Sequence, residues 1–290
     1  MKGILLAGGS GTRMYPLTLV TSKQLLAVYD KPMVYYPLSI LMLSGIREIL
    51  VISTPGSVPL LRHLLGDGSH LGLDISYAVQ DEPRGIAEAY VIGADHVGRD
   101  SSALILGDNI FHGAGFRQVL WSARQALTGA TLFGYPVSDP ERFGVGEVNG
   151  NGDLVSIEEK PLLPRSNNAI VGLYFYDSDV VDIAANLKPS ERGELEITDI
   201  NRQYLLEGRA QLVRLGRGYT WFDAGTHDAL LSASQYVQVI QTRQGTQVAC
   251  LEEIALRMGY IDTDALLRLG AEMSNSGYGR YLIQTAESFS

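Results

Sequence analysis

Short apolar runs alternate with helical patterns through the first part of the chain. The runs predict strands at residues 3–7, 48–54, 75–80 and 102–107. Apolar residues at helical spacing over residues 33–44 predict a helix that ends at Gly45, and Pro37 fits only its first turn. Strands alternating with helices indicate an α/β fold, with a Rossmann-like, mainly parallel central sheet flanked by helices.

The middle of the chain has a different pattern. β-rich segments there, separated by turn clusters such as Asn149–Gly152, lie near residues 130–137, 143–148, 154–159 and 169–176. Such segments predict antiparallel strands inserted into, or added onto, the sheet. A helix over about residues 198–207 follows, and then strands at residues 211–215 and 219–222.

From about residue 226 the pattern is helical to residue 290, with a break at residues 274–277. We therefore expect an α/β domain over residues 1–240 and a helical C-terminal segment over residues 241–290. The segment is expected to serve packing or subunit contact.

Composition narrows the class of protein. The net charge of −9 argues against nucleic acid or an anionic membrane surface as a partner. The single cysteine, Cys250, excludes an internal disulfide and a cysteine-rich metal site. There is no signal-peptide pattern and no apolar stretch approaching about 18 residues, so we expect a cytoplasmic enzyme without membrane contact.

The first apolar run breaks into the glycine-rich sequence from Gly8 to Arg13. Glycines let successive N–H groups form a concavity that suits phosphate oxygens. A dinucleotide fingerprint would need a third glycine at Met14, and a P-loop would need Gly-Lys-Ser/Thr over residues 11–13. Both patterns fail, which argues against an NAD-dependent oxidoreductase and leaves a phosphate-holding loop or a glycine-rich turn with a solvated arginine.

The spacing Leu-Ala-Gly-Gly-x-Gly-Thr-Arg-x-x-Pro over residues 6–16, with Ser-Lys-Gln-Leu-Leu at 22–26 and Lys-Pro-Met at 31–33, resembles the sugar-1-phosphate nucleotidyltransferases. Within that family it is similar to the glucose-1-phosphate thymidylyltransferase branch, and the resemblance runs nearly end to end. It implies transfer of a thymidylyl group from dTTP to glucose 1-phosphate, giving dTDP-glucose and pyrophosphate, as the first step of dTDP-deoxysugar synthesis such as that of dTDP-rhamnose. The chain departs from the family at Ala27, Ile86, Phe222 and Ala224, which affects fine specificity more than chemistry.

Two carboxylates stand directly at the ends of predicted strands. Asp108 follows the run at residues 103–106, and Asp223 follows residues 219–222. Ligands of open α/β sheets lie beyond the carboxyl ends of the strands, and two such carboxylates can converge on Mg²⁺. Spacing alone cannot pair them, and Asp108 could equally cap a turn. The resemblance assigns Asp108 and Asp223 to Mg²⁺.

The resemblance also implies the other site residues. Arg13 and Lys160, with Asp108 and Asp223, are the implied catalytic residues. The implied nucleotide contacts are Leu6, Gly8, Gly9, Gly11, Thr12, Lys23, Gln24 at the ribose, and Gln80 with Gly85 at the pyrimidine edge. The implied contacts of the sugar phosphate are Asn109, Gly144, Glu159, Lys160, Val171 and Arg192. By local sequence alone, Glu159 and Lys160 could be a charged surface strand end, and Gln80 an ordinary strand-end residue.

Three alternatives or additions remain. The same chemistry with UTP, CTP or ATP is the nearest rival. A non-catalytic sugar-nucleotide sensor on the same fold is a rival of another class, which the retained charges at Arg13, Lys23, Asp108, Lys160 and Asp223 disfavour. The resemblance further implies a homotetramer with a regulatory nucleotide site, for which Arg217, Glu253 and Arg257 are candidates.

Overall fold

Strands and helices alternate in the first part of the chain, and only helices follow residue 226 up to residue 289. A computed structural model describes residues 1–289. The strands of this part are β1 (Lys2–Ala7), β2 (Ala27–Val28), β3 (Lys31–Pro32), β4 (Glu48–Ser53), β5 (Asp74–Val79), β6 (Ser102–Leu106), β7 (Asn109–Gly113), β8 (Ala130–Pro136), β9 (Gly144–Val148), β10 (Leu154–Glu159), β11 (Asn168–Tyr176), β12 (Ala210–Arg214) and β13 (Tyr219–Asp223). The α-helices are α1 (Tyr35–Leu43), α2 (Val58–Leu65), α3 (Glu88–Ile92), α4 (Ala94–Val97), α5 (Phe116–Gln125), α6 (Val180–Ala185), α7 (Ile197–Leu206), α8 (His227–Gln244), α9 (Leu251–Arg257), α10 (Thr263–Glu272) and α11 (Gly277–Phe289).

Strand β1 lies in the parallel half of the sheet. It pairs in parallel with β4 and β6, and β4 pairs in parallel with β5. Strands β1, β4 and β6 are continuous apolar runs because helices cover both faces of this half. The four strands predicted in the first part of the chain are confirmed, and the parallel order places their carboxyl ends at one edge.

The antiparallel strands extend the same sheet. Strand β11 runs antiparallel to β6 on one edge and to β8 on the other, while β9 and β10 continue the sheet beyond β11. Strand β12 pairs with β8 in parallel. The predicted strands of the middle region are confirmed, and they are added onto the central sheet, which has nine strands within residues 1–289.

A second, two-stranded sheet lies beside the end of β6. It consists of β7 and β13, which run antiparallel with Asp223 opposite Asn109. The segment that forms β7 was not predicted as a strand, because only a two-residue turn separates it from β6 and its sequence has no strict alternation. Its pairing with β13 brings two distant strand ends together.

The helices follow their apolar spacing. Helix α1 confirms the predicted helix, with Pro37 in its first turn, and α7 confirms the helix predicted near residues 198–207. Helices α2 to α6 had no predicted bounds. In α5, the buried residues Phe116, Leu120 and Ala123 lie one turn apart on one face, which is the spacing of a helix packed on a sheet.

The C-terminal region is helical, as predicted, and its break at residues 274–277 lies between α10 and α11. Helix α8 begins after Thr226, whose hydroxyl accepts from the Ala229 N–H at 3.3 Å. Helices α9, α10 and α11 enclose a small apolar core that includes Leu266 and Leu282. Helix α8 crosses residue 240, so the division of the chain there stays a prediction. Within residues 1–289, no helix combines the length and the apolar character that crossing a membrane requires.

The sheet core sets the first testable expectation. Phe133 on β8 is fully buried, and its ring meets the Phe175 ring edge-on with centroids 5.2 Å apart. Phe133→Ala is expected to lower the free energy of unfolding by about 3–5 kcal/mol, because it removes apolar contacts and leaves a cavity. Urea titration measures the change. The control Leu206→Ala, at a side chain 84% exposed, should change it by less than about 0.5 kcal/mol. Equal effects would contradict this packing.

Candidate active site

The glycine loop follows β1 at the carboxyl edge of the sheet. Gly9 and Gly11 have φ of 95° and 61°, which favour glycine. The Thr18 hydroxyl donates to the Gly11 carbonyl at 2.8 Å and holds the loop closed. A Cβ at Gly8 would lie 2.4 Å from the Gln80 Oε1, so only glycine lets that side chain approach. Arg13 stands in the 3₁₀ turn that ends the loop and is exposed.

Two side chains connect this loop to the acidic strand end. The Gln24 Nε2 donates to the Gly8 carbonyl at 3.2 Å, and the Gln24 Oε1 is buried without a hydrogen-bond partner among the described residues. The Lys23 ammonium forms a hydrogen-bonded ion pair with the Asp108 carboxylate. A buried acceptor without a partner is costly, so this position suits a ligand that donates a hydrogen bond.

Pairing of β7 with β13 brings together Asp108 and Asp223, the acidic pair of the site. Asn109 donates from Nδ2 to the Asp108 Oδ1 at 3.0 Å, and its own Oδ1 accepts from the Trp221 Nε1 at 2.7 Å and from the Gly172 N–H at 3.1 Å. The Ala224 N–H donates to the Asp108 carbonyl at 2.9 Å. Asn109 therefore fixes the carboxylate of Asp108 and joins it to the strand that carries Asp223.

The two carboxyls have opposite pKa shifts. Burial raises the pKa of Asp108, but the charge of Lys23 and the hydrogen bonds from Lys23 and Asn109 outweigh burial and bring this pKa below its ordinary value. Burial and the charge of Asp108 raise the pKa of Asp223, against the smaller opposing effects of Lys23, Arg13 and Arg142. Positive charge therefore compensates the Asp223 carboxylate only in part.

These two carboxylates suit a hard divalent cation. Such ions take oxygen ligands and often keep waters and substrate phosphates in the remaining positions. No group of three or more His, Cys, Asp or Glu side chains that could hold a metal occurs within residues 1–289. The pair therefore fits an ion whose coordination a phosphate ligand completes.

Glu159 and Lys160 form the opposite wall of the site. Glu159, at the end of β10, pairs with Gly144 at the start of β9. Its carboxylate accepts from the Thr198 hydroxyl at 2.6 Å, and the Lys160 ammonium lies 3.6 Å away. Lys160 has a positive φ of 43°, an uncommon conformation for a residue other than glycine. Arg192 forms its main ion pair with Glu196 at 2.8 Å.

Two cavities meet between these walls. The glycine-loop cavity is lined by Leu6, Gly8, Gly9, Lys23, Gln24, Gln80, Gly85 and Arg192. The β9 cavity is lined by Asn109, Gly144, Gly172, Thr198, Trp221 and Asp223. Both share Arg13, Asp108, Glu159 and Lys160. The structure thus brings most of the predicted site residues to one junction.

Three of the residues predicted to contact ligands line neither of these two cavities. Gly11 lines a separate depression with Ser10 and Ser22, and Thr12 lines none of these three hollows. The Val171 side chain is fully buried in the core, so only its backbone could face a sugar.

Gln80 and Gly85 line the glycine-loop cavity. The Gln80 Nε2 donates to the Glu88 carboxylate at 2.8 Å, and Glu88 pairs with Arg84 at 2.9 Å. Gly85 has a φ of 103°, and a Cβ there would lie 2.3 Å from the Leu195 carbonyl oxygen. Gln80 is thus held in one orientation with its Oε1 toward the glycine loop.

The cavity residues that sequence reasoning missed include Arg142, Thr198 and Trp221. Thr198 opens α7, and Trp221 lies two residues before Asp223, so their side chains follow from elements already predicted. Alternation along β13 was the available signal for Trp221, because residues two apart on a strand share a face.

Of the three candidate regulatory residues, only Glu253 and Arg257 contact each other. The Arg257 Nε pairs with the Glu253 carboxylate at 2.7 Å, and the Tyr281 hydroxyl donates to the same carboxylate at 2.5 Å. In the part of the chain that the structure describes, no hydrogen bond or ion pair connects Arg217 to either residue. A regulatory role for the three stays a prediction.

Comparisons agree with this geometry. The family model described as nucleotidyl transferase matches residues 2–239. A glucose-1-phosphate thymidylyltransferase of Xanthomonas campestris pv. campestris (strain B100) is 57% identical over 286 residues, which cover 99% of this chain and 97% of the relative. A protein of the same name from Mycobacterium tuberculosis (strain CDC 1551 / Oshkosh) is 53% identical over 287 residues, covering 99% of both chains.

Solved structures share the fold. A Bacillus anthracis protein in complex with sucrose matches with a TM-score of 0.76 and 42% identity, covering 81% of this chain and 94% of that chain. A UDP-glucose pyrophosphorylase complexed with UDP-glucose matches with a TM-score of 0.71 at 22% identity, covering 82% and 98% of the two chains. The second likeness concerns the fold alone.

The acidic pair sets an expectation for stability. The pKa of Asp223 is raised above its ordinary 3.8, so the folded state binds the proton more tightly than the unfolded state. Ionised Asp223 therefore destabilises the fold at pH above its folded-state pKa, and this cost disappears below pH 3.8. Asp223→Asn should raise the free energy of unfolding at pH 7.5 in metal-free buffer, with a gain that shrinks as pH falls toward 4.

Urea titrations at several pH values measure this effect. Asp81→Asn is the matched control, because Asp81 is exposed and should give no gain. A gain that grows as pH falls would contradict the sign of the shift.

Proposed function

The chain belongs to the nucleotidyl transferase family, and we propose that it is a glucose-1-phosphate thymidylyltransferase. It would transfer a thymidylyl group from dTTP to glucose 1-phosphate and release pyrophosphate and dTDP-glucose. The observation that supports this proposal best is the junction of two cavities at Arg13, Asp108, Glu159 and Lys160. Two phosphate-bearing ligands, one in each cavity, would face each other across these charges.

In the proposed reaction, a phosphate oxygen of glucose 1-phosphate attacks the α-phosphorus of dTTP in line. A bond forms between that oxygen and the α-phosphorus, and the bond to the bridging oxygen of the β-phosphate breaks. Pyrophosphate leaves with the electron pair. Because the attacking oxygen is already anionic, no general base is needed, and catalysis consists of positioning and charge stabilisation.

Cations on both sides counter the repulsion between the two anions. Arg13 would neutralise the leaving pyrophosphate, with Lys23 and the loop N–H groups assisting. Lys160 and Arg192 would hold the attacking phosphate. Lys23 and Arg192 form ion pairs with Asp108 and Glu196, so phosphates would compete with these carboxylates for the same donors.

Mg²⁺ is the proposed metal, held by Asp108 and Asp223. When bound, the ion supplies a Lewis acid and neutralises phosphate charge. Its charge would also oppose the burial and the repulsion by Asp108 that raise the pKa of Asp223. The support for Mg²⁺ over other divalent ions is its preference for a few carboxylates completed by phosphate and water oxygens.

Gln80 and Gln24 would recognise the nucleoside through hydrogen bonds. The Gln80 Nε2 is engaged by Glu88, which leaves its Oε1 to accept the imide N–H of thymine. The unpartnered Gln24 Oε1 would accept a ribose hydroxyl. Uracil lacks only the methyl group of thymine, and an apolar pocket distinguishes that by about 1–3 kcal/mol, so UTP is expected to be a weaker substrate.

Three wider features belong to the same proposal. The product would enter dTDP-deoxysugar synthesis, such as that of dTDP-rhamnose, as its first intermediate. The enzyme would act as a cytoplasmic homotetramer, with the helical region after residue 240 at subunit contacts. Arg217, Glu253 and Arg257 would contribute to a regulatory nucleotide site. The support for these features is the resemblance of the sequence to its family.

A pyrophosphate-release assay tests the reaction. Purified protein with Mg²⁺ and glucose 1-phosphate is offered dTTP, UTP, CTP, ATP or GTP separately. Release should be fastest with dTTP, slower with UTP, and absent without sugar phosphate or with EDTA. Preference for another nucleotide would keep the reaction but assign a different nucleotide substrate. No release with any nucleotide would favour the sugar-nucleotide sensor.

Replacement of Arg13 tests the charge argument. Arg13→Ala should lower turnover by roughly 10²–10⁵, by analogy with arginines that stabilise charge in phosphoryl transfer. Steady-state kinetics at saturating substrates measure the loss. Arg99→Ala is the matched control, because Arg99 is exposed and lines neither cavity. Near-normal turnover of Arg13→Ala would remove Arg13 from the mechanism.

A further inference from the structure

The 3₁₀ turn Pro140–Arg142 is attached to both walls of the β9 cavity. The Lys160 N–H donates to the carbonyl of Phe143, the residue that follows the turn, at 3.0 Å. The Phe143 ring meets the Trp221 ring edge-on with centroids 5.2 Å apart. Arg142 is therefore carried on a segment that contacts the backbone of Lys160 on one side and β13 on the other.

The Arg142 side chain lines the β9 cavity together with Lys160 and Asp223. Its guanidinium is half-exposed and donates to the Asp139 carboxylate at 2.7 Å, across one turn of chain. Asp139 itself does not line the cavity. The guanidinium also lies over the Phe143 ring, 5.4 Å from its centroid. Its ion pair with the partly exposed Asp139 is of a kind that contributes little to stability.

We propose that Arg142 is a further substrate-binding residue, which exchanges Asp139 for the phosphate of the sugar phosphate and holds that phosphate together with Lys160. This inference rests on the proposed function. It adds a cation to the attacking side of the reaction, on the turn that leads into β9.

Chemistry favours the exchange. A sugar phosphate near neutral pH carries more negative charge than one carboxylate, and it presents three terminal oxygens. A guanidinium donates two parallel hydrogen bonds to phosphate, which an ammonium cannot do. Arg142 would therefore fix the orientation of the phosphate, whereas Lys160 supplies a point charge beside it.

Three variants separate this role from a structural one. Arg142→Gln removes the cation, Asp139→Asn removes only its resting partner, and Arg165→Gln is the matched control. Arg165 is exposed, pairs with Glu158 at 3.7 Å and lines neither cavity. The measurements are kcat and KM for glucose 1-phosphate at saturating dTTP, KM for dTTP, and the thermal unfolding midpoint.

We expect Arg142→Gln to lower kcat/KM for glucose 1-phosphate roughly tenfold to hundredfold, the loss of a charge-assisted hydrogen bond, with KM for dTTP unchanged. Asp139→Asn should keep or raise kcat/KM for glucose 1-phosphate, because it frees the guanidinium. Arg165→Gln should match the unmodified protein in kinetics.

Two outcomes would overturn the inference. Equal losses in Arg142→Gln and Asp139→Asn would mean that the ion pair only shapes the turn. An Arg142→Gln protein as active as Arg165→Gln would mean that Arg142 does not touch the substrate. Both results require an active unmodified protein, whereas an unmodified protein that releases no pyrophosphate would contradict the proposed function instead.

Discussion

Burial of the two neighbouring carboxylates of Asp108 and Asp223, together with the repulsion of Asp223 by Asp108, is the constraint around which the site is built. Two carboxylates held at adjoining strand ends cannot both ionise freely, and Lys23 compensates only one of them directly. Asn109 ties the pair together through hydrogen bonds that use its whole amide. The fold thus maintains a local excess of negative charge that suits a divalent cation, at a cost in stability that the rest of the core offsets.

The positively charged side chains of the site are also held close to opposite charges. A carboxylate lies beside each of four cations of the site, Lys23, Lys160, Arg192 and Arg142. A chain of net charge −9 would repel phosphates at long range, so the attraction has to be local. Phosphate binding would then replace a carboxylate by a phosphate as the partner of each cation. The hydrogen-bond donors would be in place before the phosphate binds, and the cations would not remain unpaired between turnovers.

The two halves of the sheet supply different walls of the site. The parallel half ends in the glycine loop and in Asp108, because parallel strands bring their carboxyl ends to one edge. The antiparallel half supplies the opposite wall, where β10 ends at Glu159 opposite Gly144, the first residue of β9. Strand β11 joins the halves by pairing with β6 and β9 along one edge. A single sheet therefore carries the strand ends that form both walls of the site.

Local pattern determined most strands, the helix after β1, the glycine loop and the helical C-terminal region, because hydrophobic period and glycine placement act over a few residues. It also marked Asp108 and Asp223 as strand-end carboxylates. Only the tertiary structure decided that these two meet, since β7 has a weak local pattern and exists through its pairing with β13. Tertiary structure likewise placed Arg142 and Thr198 in the cavity and turned the Val171 side chain into the core. The physical reason is that strand pairing and side-chain direction depend on contacts between residues far apart in sequence, which local periodicity does not encode.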